Sequence, residues 1–518
     1  MALVSEPVAV HQSEPKPQVV CVSTRTGWTL VQRLTFRFAF VYLILYILPF
    51  PIDTIDSLLT DLRGIVIGEM ADSDQLSLLS QYVTKPYRDF WDEAVLWTGR
   101  KVFGVEIEYR PAGSGDTTWN YVQMFDMVVI AGVLTLLWSV SALAWRHFRR
   151  RSRLGYPYLH EWLRVYVRFY LAQVMIVYGA VKVIKLQFPY PRPDALLHTY
   201  GESSPMHLLW TFMGASTGYT WFAGAGEMLA GLLLCTRRTT LLGALVTFGV
   251  MLNIAALNFC YDVPVKLFSC HLLLMSLFLL APDLLWMVRV FLLGRSEAPR
   301  GYAPLVRRPR LERTLLVVRT IAVLTFVGVT LYDNYENSKR FGDQAPEPPL
   351  FGLWEVEEFI LDGKVRPPLT TDAGRWQRMT FNKAFSFRKS KPAKPRLGIT
   401  NMPGKYVLSA EVEVDEEKQT ITLNSPGGSP GGTTTSAVHV LKYKEVEPEV
   451  IELQGEVAFF ADGKLGPKQV KARLRHYGKE KFLLSNRGFH WINEMPYNQF
   501  GLRSEPPPKI PPAPKRPK

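Results

Sequence analysis

The stretch EWLRVYVRFYLAQVMIVYGAVKVIKLQFP (161–189), with FAGAGEMLAGLLLC (222–235) downstream of it, decides how this chain is read. Both runs are apolar and of helical length, and each carries a charge, Lys182 in the first and Glu227 in the second. Two more apolar runs follow, over about 241–258 and 264–281, with Asp262 and Lys266 at the entry to the second. An ionised group at the centre of a bilayer costs about 2.5–3.5 kcal/mol even on lenient scales. Charges kept inside such runs are therefore paired, functional, or both. Spans over 162–184, 219–236, 241–258 and 264–281 define a four-helix core within residues 161–294.

Outward from that core, the pattern is of further spans and polar segments. Residues 1–33 form a polar tail. An apolar run over about 34–51 lacks a small-residue cleavage site after it and is expected to stay as an anchor. A second span covers about 123–145, and residues 34–160 thus hold two spans around an outer insertion, 52–122. The middle of that insertion has helical spacing. It ends in PAGSGDTTWNY (111–121), which lacks the lysine and spacing of a phosphate-binding loop and reads as a connector. An interfacial amphipathic helix, capped by Asp283, is expected after the sixth span. A basic linker and a seventh span, about 314–332, fill 295–333.

The 518 residues carry a net charge of +14. The basic groups gather at Arg33 and Arg37, at RHFRRRSR (146–153), at Arg237 and Arg238, and over RSEAPRGYAPLVRRPRLER (295–313). With seven spans all four places fall on one side, the cytoplasmic side by the positive-inside rule. The expectation is a multi-pass protein of the plasma (inner) membrane. Its N-terminus is cytoplasmic, and everything after residue 333 lies on the outer or periplasmic side. The clusters suit anionic lipid, so the bilayer is the partner they indicate, and no aromatic-interleaved basic face indicates nucleic acid.

From about 345 to 500 the period changes to two. LWEVEEFI, KYVLSAEVEV, KQTITLN, AVHVLKYKEV, EVIELQGEVAFF, QVKARLRHY and KFLLSN alternate apolar and polar residues. Asp362-Gly363, Pro426-Gly427-Gly428 and Asp462-Gly463 punctuate them as turns. The expected fold class is an α-helical membrane bundle followed by an all-β barrel or sandwich. An early Trp354 packed beneath a late Arg487 would close the barrel by cation–π contact. Residues 501–518 form a Pro- and Lys-rich tail.

Two constellations carry the chemistry. Gly224, Gly226, Ala230 and Gly231 around Glu227 allow a neighbouring helix close, and Lys182 is the leading partner. Such a pair handles a proton or orients a ligand, or else only fixes packing. In NFCYDVPVKLFSCH (258–271), Asp262 and Lys266 are spaced for an i,i+4 pair. Asn258, Tyr261 and His271 would add hydrogen bonds to a site between the fifth and sixth spans. His271 alone reads more readily as a hydrogen-bonded packing residue than as a ligand. It is the one histidine well inside a span, which disfavours a bis-imidazole haem. Cys21, Cys235, Cys260 and Cys270 form no C-x-x-C pair, free thiols are expected, and no metal site is indicated.

YGAVK at 178–182, GEMLAGLLLCTRRTTLLGAL at 226–245 and the closing LLAPD at 279–283 resemble the DoxX-like family of four-helix membrane proteins. The resemblance covers about 120 residues. It implies a membrane bundle, with some members tied to quinone-linked sulfur oxidation or thiol-stress complexes. A quinone is accordingly the cofactor class it implies, and other membrane or redox proteins are the implied partners. Gly352-x-Trp354 and the late arginine are similar to lipocalin-like barrels. Three functional readings stay open. One is an accessory or catalytic subunit of a quinone- or thiol-linked redox system, with Glu227 and Lys182 at its centre. Another is a non-enzymatic scaffold whose barrel captures an outer ligand. The third is a proton-coupled solute transporter, for which no inverted repeat is visible.

Overall fold

The computed structural model describes residues 28–67, 80–108, 115–149, 155–297, 309–384, 394–425, 437–486, 488–489 and 491–492. They fall into two compact units, helical and β, divided near residue 345. The second unit also holds Tyr190–Glu202.

The helical unit contains α1 (Leu30–Ile47), α2 (Ile52–Ile67), α3 (Lys85–Thr98), α4 (Thr118–Arg149), α5 (Pro157–Val183), α6 (Pro205–Ala215), α7 (Thr217–Cys235), α8 (Thr240–Cys260), α9 (Lys266–Leu280), α10 (Leu284–Met287) and α11 (Pro309–Phe341). Among the described residues five stretches are long and apolar enough to cross a membrane: Leu30–Val66, Thr118–Trp145, Arg237–Cys260, Lys266–Leu292 and Arg310–Phe341. Helices α5 and α7 fall outside that set, because Arg164, Arg168, Lys182 and Glu227 interrupt their apolar runs. They instead form the middle of the bundle, where Leu163, Val167, Leu171, Met175, Ala230 and Leu234 are buried.

Glycine sets the approach of these two helices. A Cβ on Gly179 would lie 2.7 Å from the Gly224 carbonyl oxygen, and one on Gly231 would lie 2.8 Å from that of Ala172. Two backbones this close leave no room for any side chain between them.

Several local expectations are corrected. Residues 52–67, assigned to a polar insertion, are helix α2, which follows α1 after the Pro49 and Pro51 break. Asp283 gives no side-chain cap to α10. Its carboxylate is buried and lies 3.7 Å from Arg164 Nη2, a stronger use of a desolvated charge than a helix cap. The segment after it is helical over Leu284–Leu292, with the four residues of α10 running on into a π-helical turn at Val288–Leu292. Cys235, Cys260 and Cys270 are free thiols, and Cys21 lies outside the described residues.

The β unit is a closed barrel, which settles the barrel-or-sandwich alternative. Its strands are β1 (Gly352–Leu361), β2 (Lys364–Val365), β3 (Trp376–Asn382), β4 (Arg396–Asn401), β5 (Tyr406–Asp415), β6 (Thr420–Ser425), β7 (Ala437–Glu447), β8 (Val450–Ala461) and β9 (Lys464–Tyr477). All neighbours are antiparallel and follow chain order, and β1 pairs with β9 to close a ring of eight, with β2 a short ribbon on β1. Strands β3 and β4 were not anticipated. KFLLSN, expected as a strand, is a 3₁₀ turn followed by a four-residue helix.

Within β1 a bulge lies between Val356 and Glu358. It flips the side-chain parity, so Trp354 and Val356 point inward before it and Phe359 and Leu361 after it. Inward-facing Trp376, Met379, Phe381, Leu397, Ile399, Leu423, Leu453 and Phe459 fill the interior. Trp354 donates to the Leu350 carbonyl and packs edge-on to His476. Arg487, its expected partner, lies outside the described residues, as does the Pro426-Gly427-Gly428 turn. The buried guanidinium at this barrel belongs to Arg375. It donates to the carbonyls of Val356 (3.1 Å), Glu357 (3.1 Å), Arg366 (3.0 Å) and Trp376 (3.0 Å). Two of those carbonyls sit at the bulge.

Candidate functional site

The close approach of α5 and α7 brings Lys182 to Glu227. Lys182 Nζ donates to Glu227 Oε1, and both residues are buried. Glu227 Oε2 is buried with no hydrogen-bond partner. The pair is therefore half satisfied. An ion pair sealed in a low-dielectric interior holds only if its remaining lone pairs find donors, so the free oxygen is an opening for a proton or a polar ligand.

Tyr178, one turn before Lys182, links this pair to a second constellation. Its ring centroid is 6.0 Å from Lys182 Nζ. It also lines a cavity of about 320 Å³ with Tyr46, Met124, Met127, Phe268 and His271. Asn120 and Gln123 add amide groups to the wall. A volume near the lower bound of about 300–1,000 Å³ suits a small molecule or one head group.

His271 is held on three sides. Its ring stacks on Tyr46, with centroids 4.0 Å apart and planes 4° apart. Nδ1 lies 2.6 Å from the Leu267 carbonyl oxygen, and Nε2 lies 2.6 Å from the Tyr42 hydroxyl. A carbonyl only accepts, so Nδ1 carries the proton, and in the neutral ring Nε2 accepts from Tyr42. The dyad Tyr42–His271 is thus set up with a defined direction of donation.

A third group fixes the rim. Asp116 accepts from the backbone amides of Lys266 (2.7 Å) and Leu267 (2.9 Å), the first two residues of α9. Gly115 donates to the Pro264 carbonyl oxygen at 2.8 Å. A carboxylate on orphan amides at a helix start is a strong cap. The segment read as a connector is, in its described part, a clamp on α9.

The residues expected to form one ligand site are therefore divided. His271 lines the cavity. Lys182 and Glu227 stand behind its Tyr178 wall. Lys266 pairs with Asp262 at 2.7 Å, but Asp262 is exposed and sits at φ 49° in the turn before α9, so the pair forms outside a helix. Tyr261 packs with Phe188, Leu209, Met213 and Val263 in a separate cluster. Asn258 is buried, and its Nδ2 has no partner. Sequence reasoning missed Tyr42, Tyr46, Asp116 and Tyr178. For the two tyrosines of α1 the spacing of four was a usable signal, placing both rings on one helix face. Nothing local to Asp116 points to a partner 150 residues away. Asp126, a buried carboxylate on α4 with Oδ2 unpartnered, was also overlooked. Among the described residues no cluster of His, Cys, Asp and Glu is arranged for a metal ion.

No family model matches this chain. No solved structure matches it. Over 116 residues it is 37% identical to a Bacillus subtilis (strain 168) protein described as "Uncharacterized protein YwoB"; the match takes in 22% of this chain and 73% of that protein.

Proposed function

This chain belongs to the same family as YwoB, and we propose that it is a membrane-integral, DoxX-like protein that holds a planar, quinone-like head group in the α1–α4–α5–α9 cavity as the accessory subunit of a redox system. The observation that carries this is the Tyr42–His271 dyad stacked on Tyr46 at the wall of an aromatic and thioether cavity. Flat aromatic faces and soft sulfur suit a flat ring, and the wall amides of Asn120 and Gln123 suit its oxygens. When bound, a quinone supplies reversible two-electron, two-proton chemistry. The chain's own share is to exclude water, orient the ring, and hold a proton at His271 Nδ1 and the Tyr42 hydroxyl. Electrons come from a partner redox protein.

On this reading seven helices cross the membrane, with α5 and α7 shielded by their neighbours. The basic clusters put the N-terminus in the cytoplasm and the barrel on the outer side. The barrel interior is packed with its own side chains, which supports a ligand site in the bundle rather than in the barrel.

The test is co-purification in mild detergent, with bound small molecules identified by mass spectrometry. A quinone near one per chain is expected, lost when Met124→Trp fills the cavity and reduced in His271→Phe. Absence of any quinone from the unmodified protein, before and after incubation with a quinone analogue, overturns the assignment.

A further inference from the structure

The cavity between α1, α4, α5 and α9 has few polar atoms left to offer a ligand. His271 offers none: Nδ1 donates to the Leu267 carbonyl oxygen and Nε2 accepts from the Tyr42 hydroxyl, both at 2.6 Å. Backbone amides at the rim are spent as well. Those of Lys266 and Leu267 donate to Asp116, at 2.7 and 2.9 Å, and that of Gly115 donates to the Pro264 carbonyl oxygen at 2.8 Å.

Asn120, on the cavity wall and the third residue of α4, is spent on one side only. Its Oδ1 accepts from the Thr117 backbone amide at 3.1 Å and from the Thr117 hydroxyl at 2.6 Å. A backbone N–H can only donate, so the atom it meets is the side-chain oxygen, and this fixes which way round the amide lies. Nδ2, which carries two N–H donors, makes no hydrogen bond among the described residues. Gln123, one turn on, has an amide that no hydrogen bond among them holds in one orientation. Helix capping explains the oxygen of Asn120 and not its nitrogen. A carboxylate returns a cap to the preceding amide as well or better at the positive end of a helix. In an aromatic and thioether wall, an N–H₂ group left without an acceptor costs free energy.

We propose that Asn120 sets the specificity of this cavity. Its Nδ2 donates to a carbonyl-type oxygen on the bound ring, which selects flat ligands carrying such an acceptor over equally flat ones carrying none. This rests on the reading of the cavity as the site of a planar head group, and adds which atom of that group is recognised and by what.

The test uses the full chain, stripped of lipid in detergent, and two probes of one shape: duroquinone, and durene, the same tetramethylated ring without the carbonyl oxygens. Equilibrium dialysis reads the affinity for each, and a thermal scan reads folding. Asn120→Asp keeps an oxygen for Thr117 and puts a second oxygen where Nδ2 was. Asn120→Ala removes both and serves where the carboxylate disturbs the helix. Duroquinone affinity is expected to fall about tenfold or more in both variants, as loss of a buried hydrogen bond implies, while durene affinity stays within about twofold. Duroquinone held as tightly by a folded variant as by the unmodified protein overturns the proposal and leaves the cavity reading standing. Equal loss of both probes assigns Asn120 to the helix cap alone and also overturns it. Failure of the unmodified protein to bind either probe removes the cavity reading and the proposal together. The infrared carbonyl band of bound duroquinone needs no variant: a shift to lower frequency than in detergent alone is expected, and an unshifted band overturns the proposal.

Discussion

Of the four arginines buried among the described residues, Arg375 in the barrel and Arg168 in the helical bundle are buried in opposite ways. Arg375 spends its donors on four backbone carbonyls, two of which a β-bulge has released from the ladder. Arg168 makes one hydrogen bond and keeps Nε unpartnered. The same contrast separates Arg375 from Glu227, which meets Lys182 through one oxygen and leaves the other bare. Burial of charge does not by itself mark a working site. A saturated charge is a structural part, and an unsaturated one in the same degree of burial has capacity left for something that binds.

The largest effect tests the Lys182–Glu227 pair. Lys182→Met strands a carboxylate, and Glu227→Leu strands an ammonium; each is expected to cost about 3–5 kcal/mol. The double variant Lys182→Met, Glu227→Leu is expected to recover most of that loss. A double-mutant cycle on detergent-solubilised protein, read by thermal midpoint, measures the coupling. Additive losses would show that the two residues do not act as a pair. Next, Arg375→Met should cost about 3 kcal/mol or more, since several buried carbonyls then lack donors at about 1–3 kcal/mol each. Arg168→Met, which deprives only Thr240 Oγ1, should cost under about 1 kcal/mol in lipid-free protein. Equal losses at the two sites would break the contrast between saturated and unsaturated burial.

The contrast also marks what the sequence made legible. Apolar runs of membrane length gave the five long helices, because the bilayer constraint is written residue by residue. Small residues around Glu227 foretold a close helix approach, and Lys182 is the group found there. Period-two segments and the Asp362-Gly363 and Asp462-Gly463 turns foretold the β unit, since both Asp and Gly of each turn take positive φ. Strands β3 and β4 escaped notice because they are short: a register shift between Trp376 and Arg378 leaves only Met379 and Phe381 in phase in the first, and the second offers only Leu397 and Ile399. What stayed illegible depends on chain closure over long separations. Tyr42 and His271 are 229 residues apart, and Arg375 finds carbonyls that only a bulge exposes. No local pattern records such a meeting.

The smallest effect lies at the barrel surface, where charge is neither buried nor unsaturated. Arg366 holds Asp372 at 3.2 Å and also donates to Asp462 in the β8–β9 turn. The hydrogen bond from Arg366 holds the Asp462 carboxyl below its usual value of 3.8. A depressed carboxyl contributes stability that is present above the unfolded-state value and disappears as pH falls through the folded one. Asp462 is half exposed, so the contribution is screened to about a few tenths of a kcal/mol and shrinks with salt. Hydrogen exchange of the β8 and β9 amides should therefore show Asp462→Asn slightly less protected than the unmodified protein near neutrality. The difference should narrow once pH falls below the unfolded-state value of about 4 and close only below the depressed folded-state value, where the carboxyl is neutral in both states. A gap that persisted at low pH would locate the effect in the turn's backbone geometry, which Asn also supports, and would remove the charge from the account.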